Sequence, residues 1–148
     1  MRIVVDTNIV FSAILNSSKK IGSLLLNSKT HFQFYSCDFL SVELLKHRNK
    51  LLRLTNLTEI QLLELENLVT KNIRFINESL LPKNDIVLAE KLLKDIDLKD
   101  VPFIALASHL KAKLWTRDLK LAGGLQKKRY KNIISTAELS LLFDELEA

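Results

Sequence analysis

A chain of 148 residues, 47% hydrophobic and 26% charged, suffices for one ordinary core and excludes two full-sized domains, so a single domain over residues 1–148 is expected. The lone cysteine, Cys37, rules out an intramolecular disulfide and argues against a thiolate zinc site, which fits a reducing, cytoplasmic compartment. The net charge of +5 favours polyanionic partners, while the absence of a signal-peptide pattern before Asp6 and of any apolar run of spanning length argues against a membrane.

The first stretch, Arg2 to Asn8, reads RIVVDTN. Ile3, Val4 and Val5 are apolar at every position, the pattern of a central parallel strand covered on both faces, and the run ends in an aspartate, a hydroxyl and an amide. Ligands of such sheets sit beyond the carboxyl ends of the strands. Ile9 to Leu15 predicts a helix, interrupted by the polar stretch Asn16 to Lys20, and Ile21 to Asn27 predicts a second short one. The aromatic run His31 to Ser36, with Phe32, Phe34 and Tyr35, predicts a strand. One helix is expected over Phe39 to Leu52, with Leu40, Leu44 and Leu51 near one face, Glu43 in its second turn, and Lys46, His47, Arg48 and Lys50 on the other faces.

Thr58 is placed to cap a helix reaching Lys71, and Asn72 to Ile76 predicts the third strand. Lys83 to Asp95 repeats its apolar residues helically. Asp100, Val101 and Pro102 then open another helix to about Lys111, since Asp caps and Pro is welcome in a first turn. Leu114 to Thr116 predicts a strand that runs into Arg117 and Asp118, after which Gly123 and Gly124 interrupt a short basic segment. Lys131 to Ile134 predicts the last strand, and Ser135 with Glu138 has the spacing of a capping box for a closing helix to about Glu147. Strands alternating with helices imply an α/β sandwich with a mainly parallel sheet.

In that architecture a helix starts above the carboxyl edge of the strand before it, so acids at strand ends and helix starts share one edge. Asp6 and Asp118 stand at strand ends, Asp100 at a helix start and Glu43 near another. Like charges so placed repel unless cations lie among them, and an all-oxygen ligand set points to Mg²⁺ or Mn²⁺. Phosphodiester hydrolysis is the natural chemistry of such a site. Thr7, Asn8 and Thr116 can orient ligands from behind, or serve as turn and capping groups. With four of the 17 acidic residues set aside, a net charge of +5 becomes +9 on the remainder, so the acids would be ringed by positive surface. Lys46, Arg48, Arg117 and Lys120 are candidates for that rim. The three histidines show no metal-ligand spacing, and Trp115 is expected in the core.

The motifs DTN at Asp6 to Asn8, SVELL around Glu43, DVPFIALA from Asp100 and LWTRD ending at Asp118 resemble, in order and spacing, those of the PIN domain family, and in particular its VapC-like toxin ribonucleases. The resemblance covers nearly the whole chain. It implies a three-layer sandwich with strand order 3-2-1-4-5 and a metal-dependent endoribonuclease. Asp6, Glu43, Asp100 and Asp118 would be its metal-binding acids, with Asn8 and Thr116 in support. Asp97, close by, is an alternative to Asp100. Some relatives carry a further acid just after the last motif, where this chain has Lys120. The resemblance also implies an RNA substrate, a cognate antitoxin and a homodimer. The other readings are a catalytically idle module that binds RNA or protein and a housekeeping RNA-processing nuclease.

Overall fold

The computed structural model describes every residue from Met1 to Ala148. Its strands are Arg2–Val5 (β1), Gln33–Cys37 (β2), Ile73–Ile76 (β3), Lys113–Trp115 (β4) and Ile133–Ile134 (β5). They form one wholly parallel sheet in the order β3-β2-β1-β4-β5, the order that the resemblance implies. Ile3, Val4 and Val5 are fully buried, as an unbroken apolar strand in the middle of a parallel sheet should be, with Ile3 opposite Phe34 of β2 and Val4 opposite Leu114 of β4. The chain leaves β1 for β2 and β3 on one side, then returns to β4 and β5 on the other. The crevice beyond the ends of β1 and β4 is therefore the switch point where such sheets take their ligands.

Nine α-helices cover both faces: Thr7–Ile14 (α1), Lys19–Asn27 (α2), Phe39–Lys46 (α3), Arg48–Thr55 (α4), Glu59–Thr70 (α5), Lys83–Leu93 (α6), Val101–Leu110 (α7), Leu119–Lys127 (α8) and Thr136–Glu147 (α9). The anticipated capping box of Ser135 with Glu138 opens α9, and the expected Thr58 cap of α5 is itself a capping box, completed by Gln61. The buried apolar side chains form one continuous cluster between the layers. Trp115 lies in it, fully buried, tilted against Phe34 at 5.9 Å, with its indole N–H donating to Thr136 Oγ1 at 3.0 Å. Loss of so large a ring from a core costs about 3–5 kcal/mol. Cys37 is buried at the end of β2, and burial, helped by the charge of Glu78, pushes its thiol up to about 12. No single helix is long and apolar enough to cross a membrane.

Four local features depart from the sequence expectation. The single helix expected over Phe39 to Leu52 is two, broken at His47, whose N–H closes α3 onto the Glu43 and Leu45 carbonyls before α4 begins at Arg48. Gly123 and Gly124 do not interrupt their segment; both lie inside α8. A Cβ on Gly124 would come within 2.7 Å of Ile96 Cδ1, so this glycine serves close packing and not a turn, while one on Gly123 would meet nothing within 4 Å. Helix α1 begins at Thr7, two residues earlier than expected, with Asp6 as its cap. A short 3-10 turn, Leu98–Asp100, precedes α7.

Candidate active site

Asp6 leaves β1 at the crevice and is held on all sides. Its N–H donates to the Trp115 carbonyl at 3.1 Å, carrying the β1–β4 pairing one residue further. Its Oδ1 accepts from the Thr7 N–H at 2.7 Å, and its Oδ2 accepts from Thr116 Oγ1 at 2.6 Å and from Asn8 Nδ2 at 3.2 Å. Asn8 in turn donates to Thr116 Oγ1 at 3.2 Å and accepts the Arg117 N–H at 3.1 Å. The Asp118 N–H donates to Thr116 Oγ1 at 3.1 Å, and the Asp118 carboxylate caps α8 by accepting the Leu121 N–H at 3.0 Å. Thr7 Oγ1 reaches across to Glu43 Oε1 at 2.5 Å, tying α1 to α3. The polar groups around DTN and TRD thus form one network that fixes three of the four acids.

Asp100 differs. It stands at the N-terminus of α7, as expected, but its side chain makes no capping hydrogen bond. Capping of the preceding turn falls to Asp97, which accepts the Lys99 N–H at 3.0 Å. Both acids open on the same cavity.

That cavity measures about 480 Å³ and is bounded by all four predicted acids, by Asp97, and by Thr7 and Asn8. Burial is the main cause that lifts Asp6 from 3.8 to about 6; its hydrogen bonds from Thr116 and Thr7 pull the other way, and the charges of Glu43 and Asp118 add to the rise. Asp100 rises from 3.8 to about 7, first through burial and then through repulsion by Asp6, Asp97, Asp118 and Glu43. The acids therefore repel one another across the cavity. No three His, Cys, Asp or Glu groups are already closed around a point that would hold a metal ion. The donor set nonetheless suits a hard divalent cation: it is oxygen only, Asp100 is free of capping, and Glu43 and Asp118 each use only one carboxylate oxygen within the chain.

The rim differs from expectation in its cations. None of the four expected cations, Lys46, Arg48, Arg117 and Lys120, lines the cavity; Lys50 and Lys99 do. Arg48 turns toward α5, donating to the Glu59 carbonyl at 3.2 Å and lying 3.8 Å from Glu66. Arg117 is clasped over α1 by Ser12 Oγ at 2.7 Å and Ser17 Oγ at 3.3 Å. His47, which carried no assignment, lines the cavity with Phe11, the two rings meeting edge to face at 5.6 Å. The missed residues had a signal. His47, Lys50 and Leu54 are spaced three and four apart, and Phe11 follows Thr7 by four, so helices begun at the right places would have put each set on one face.

A model of the PIN domain matches residues 4–138 of the chain. No curated protein matches it in sequence. Among solved structures, the chain is similar to one in the crystal structure of VapBC2 from Rickettsia felis bound to a DNA fragment from their promoter. The superposition covers 91% of this chain and 97% of that one, with a TM-score of 0.67 and 17% identity, a likeness of fold. The matched span runs from the middle of β1 into α9 and includes every acid at the crevice, and by it the chain belongs to the PIN domain family.

Proposed function

We propose that residues 1–148 act as one domain, a divalent-metal-dependent endoribonuclease, and that it is the toxin of a type II toxin–antitoxin pair in the cytoplasm. PIN domain proteins are generally nucleases that use divalent metal ions. The observation that carries the reading is the set of carboxylates facing one cavity at the β1–β4 switch point, where burial and mutual repulsion push Asp6 to about 6 and Asp100 to about 7.

Asp6, Glu43, Asp100 and Asp118 would hold the ion, Mg²⁺ or Mn²⁺, with Asp97 beside them. Bound there, it supplies Lewis acidity and charge neutralisation for hydrolysis of a phosphodiester bond. The chain's own residues prepare that site. Thr116, Asn8 and the Thr7 N–H fix both oxygens of Asp6, Thr7 fixes one oxygen of Glu43, and the α8 cap fixes one oxygen of Asp118, so each acid is presented in one orientation. Asp100, without a capping bond, is the acid best able to turn toward an arriving charge. Lys50 and Lys99 attract the phosphates of an RNA strand to an otherwise acidic mouth.

The toxin assignment is supported by the motif resemblance to VapC-like ribonucleases and by the fold shared with a chain of the VapBC2 structure. A cognate antitoxin would cover the mouth and set a cationic side chain among the acids. A homodimer completes the proposal.

Incubation of purified protein with structured RNA, unstructured RNA and DNA, each with Mg²⁺, Mn²⁺ or EDTA, tests it. RNA is expected to be cut with either metal and left intact in EDTA. Metal-independent cleavage, or equal action on DNA, overturns the reading. Expression is also expected to slow bacterial growth and a small protein encoded beside the gene to relieve it; harmless overexpression of active enzyme would point to housekeeping RNA processing.

A further inference from the structure

A site that held only metal and phosphate would need acids and cations, yet one wall of this cavity has another character. Along α1, the face that starts at Thr7 and Asn8 continues one turn on, about 5.4 Å, to Phe11, and reaches Leu15 just past the helix end. Facing it, His47, Lys50 and Leu54 form a stripe on α4. Phe11 and His47 are both half-buried and touch edge to face, and Leu15 and Leu54 stand 37% and 52% exposed. The wall is thus aromatic and aliphatic, open to solvent, and begins one turn from the acids.

Resting on the nuclease reading above, we infer that this wall is a nucleoside subsite, which takes the base of a nucleotide next to the scissile phosphate against Phe11 and His47, while Lys50 takes that nucleotide's outer phosphate. A nucleobase has apolar faces and a polar edge, which suits rings and methyl groups set beside an imidazole and an ammonium. An apolar peptide side chain would use Leu15 and Leu54 but leave His47 and Lys50 without a role. One helical turn is a step of the size of one nucleotide in an extended strand. The base must be unstacked to enter, so the substrate is single-stranded.

The test measures binding with Asp118→Asn protein, whose Asn can still cap α8 while a metal-binding charge is gone. The probes, in Mg²⁺, are labelled hexanucleotides of RNA and an abasic ribose-phosphate strand of equal length. The RNA should bind about tenfold tighter than the abasic strand, the magnitude of one base stack. Adding Phe11→Leu, or Leu54→Ala at its exposed position, should shrink that preference toward one. Lys50→Gln should weaken both probes by a similar factor and lower the salt dependence. Equal binding of the two probes, or a preference that survives both wall substitutions in protein that melts normally, overturns the subsite. A parallel cleavage assay with unsubstituted protein separates the two ideas. Cleavage without base preference keeps the nuclease and discards the subsite, and base preference without cleavage does the reverse.

Discussion

Two opposing effects act on the Asp6 carboxyl. Donors from Thr116 and Thr7 favour its charged form, yet loss of water outweighs them and the group titrates near 6; Asp100, without a capping bond, titrates near 7. Both values lie above the 3.8 of an exposed aspartate, so the folded state binds more protons than the unfolded one between about pH 4 and 7. The stability these acids allow is fully present below the unfolded value and is lost as pH rises through the folded ones. Metal-free protein should therefore melt at progressively lower temperature across that window, and Asp100→Asn should flatten the fall and raise the melting point at pH 7. Calorimetry in EDTA over a pH series checks this, and an unchanged slope in the variant contradicts it. Thr116→Val, which keeps the volume but removes the donor to Asp6, should weaken Mn²⁺ binding by about 10–100-fold. Titration of folded protein with Mn²⁺ measures it.

At the scale of elements, Asp118 caps α8 and, on the proposed reading, also holds the metal, two duties that substitution can separate. Asn caps a helix as well as Asp does, so Asp118→Asn should abolish most cleavage and leave the fold intact, whereas Asp118→Ala should also cost about 1 kcal/mol of stability. Denaturant unfolding of both variants distinguishes the duties. The glycine pair in α8 gives a sharper contrast. Gly123→Ala meets open space and should stabilise the helix by up to about 1 kcal/mol. Gly124→Ala drives a methyl into Ile96, next to the turn that bears Asp97 and Asp100, and should cost about 1–3 kcal/mol while weakening metal binding. These elements also show where sequence reading stops. The DTN and TRD ends were legible because an apolar run that stops on polar groups marks a strand end. Periodicity does not register a break: the hydrophobic spacing of Phe39 to Leu52 continues across His47 although the helix does not. Lys50, and not Arg48, accordingly stands on the cavity. The two glycines misled for a related reason, since a glycine chosen for closeness to Ile96 looks the same in one dimension as a glycine chosen for a turn.

For the whole molecule, the α/β alternation could be read from local patterns, but the strand order could not, because it depends on pairings between residues far apart; it came with the family motifs. On the proposed reading, an acid site assembled from four separate elements makes metal a ligand of the entire fold. At a concentration 100 times its dissociation constant, Mn²⁺ should add about 2.7 kcal/mol at neutral pH. Melting with and without EDTA tests the gain, and Asp118→Asn should blunt it.

The pairing of β1 with β4 has a consequence in time. Asp6 is added more than a hundred residues before its seat is complete, since that seat is built from Trp115 and Thr116 and the charge beside it is Asp118. Translation at about 5–20 residues per second leaves an interval on the order of ten seconds in which a growing chain owns the first acid and lacks the last. On the proposed reading, the chain cannot cut RNA during that interval, and a neutralising partner has that interval in which to be made and waiting.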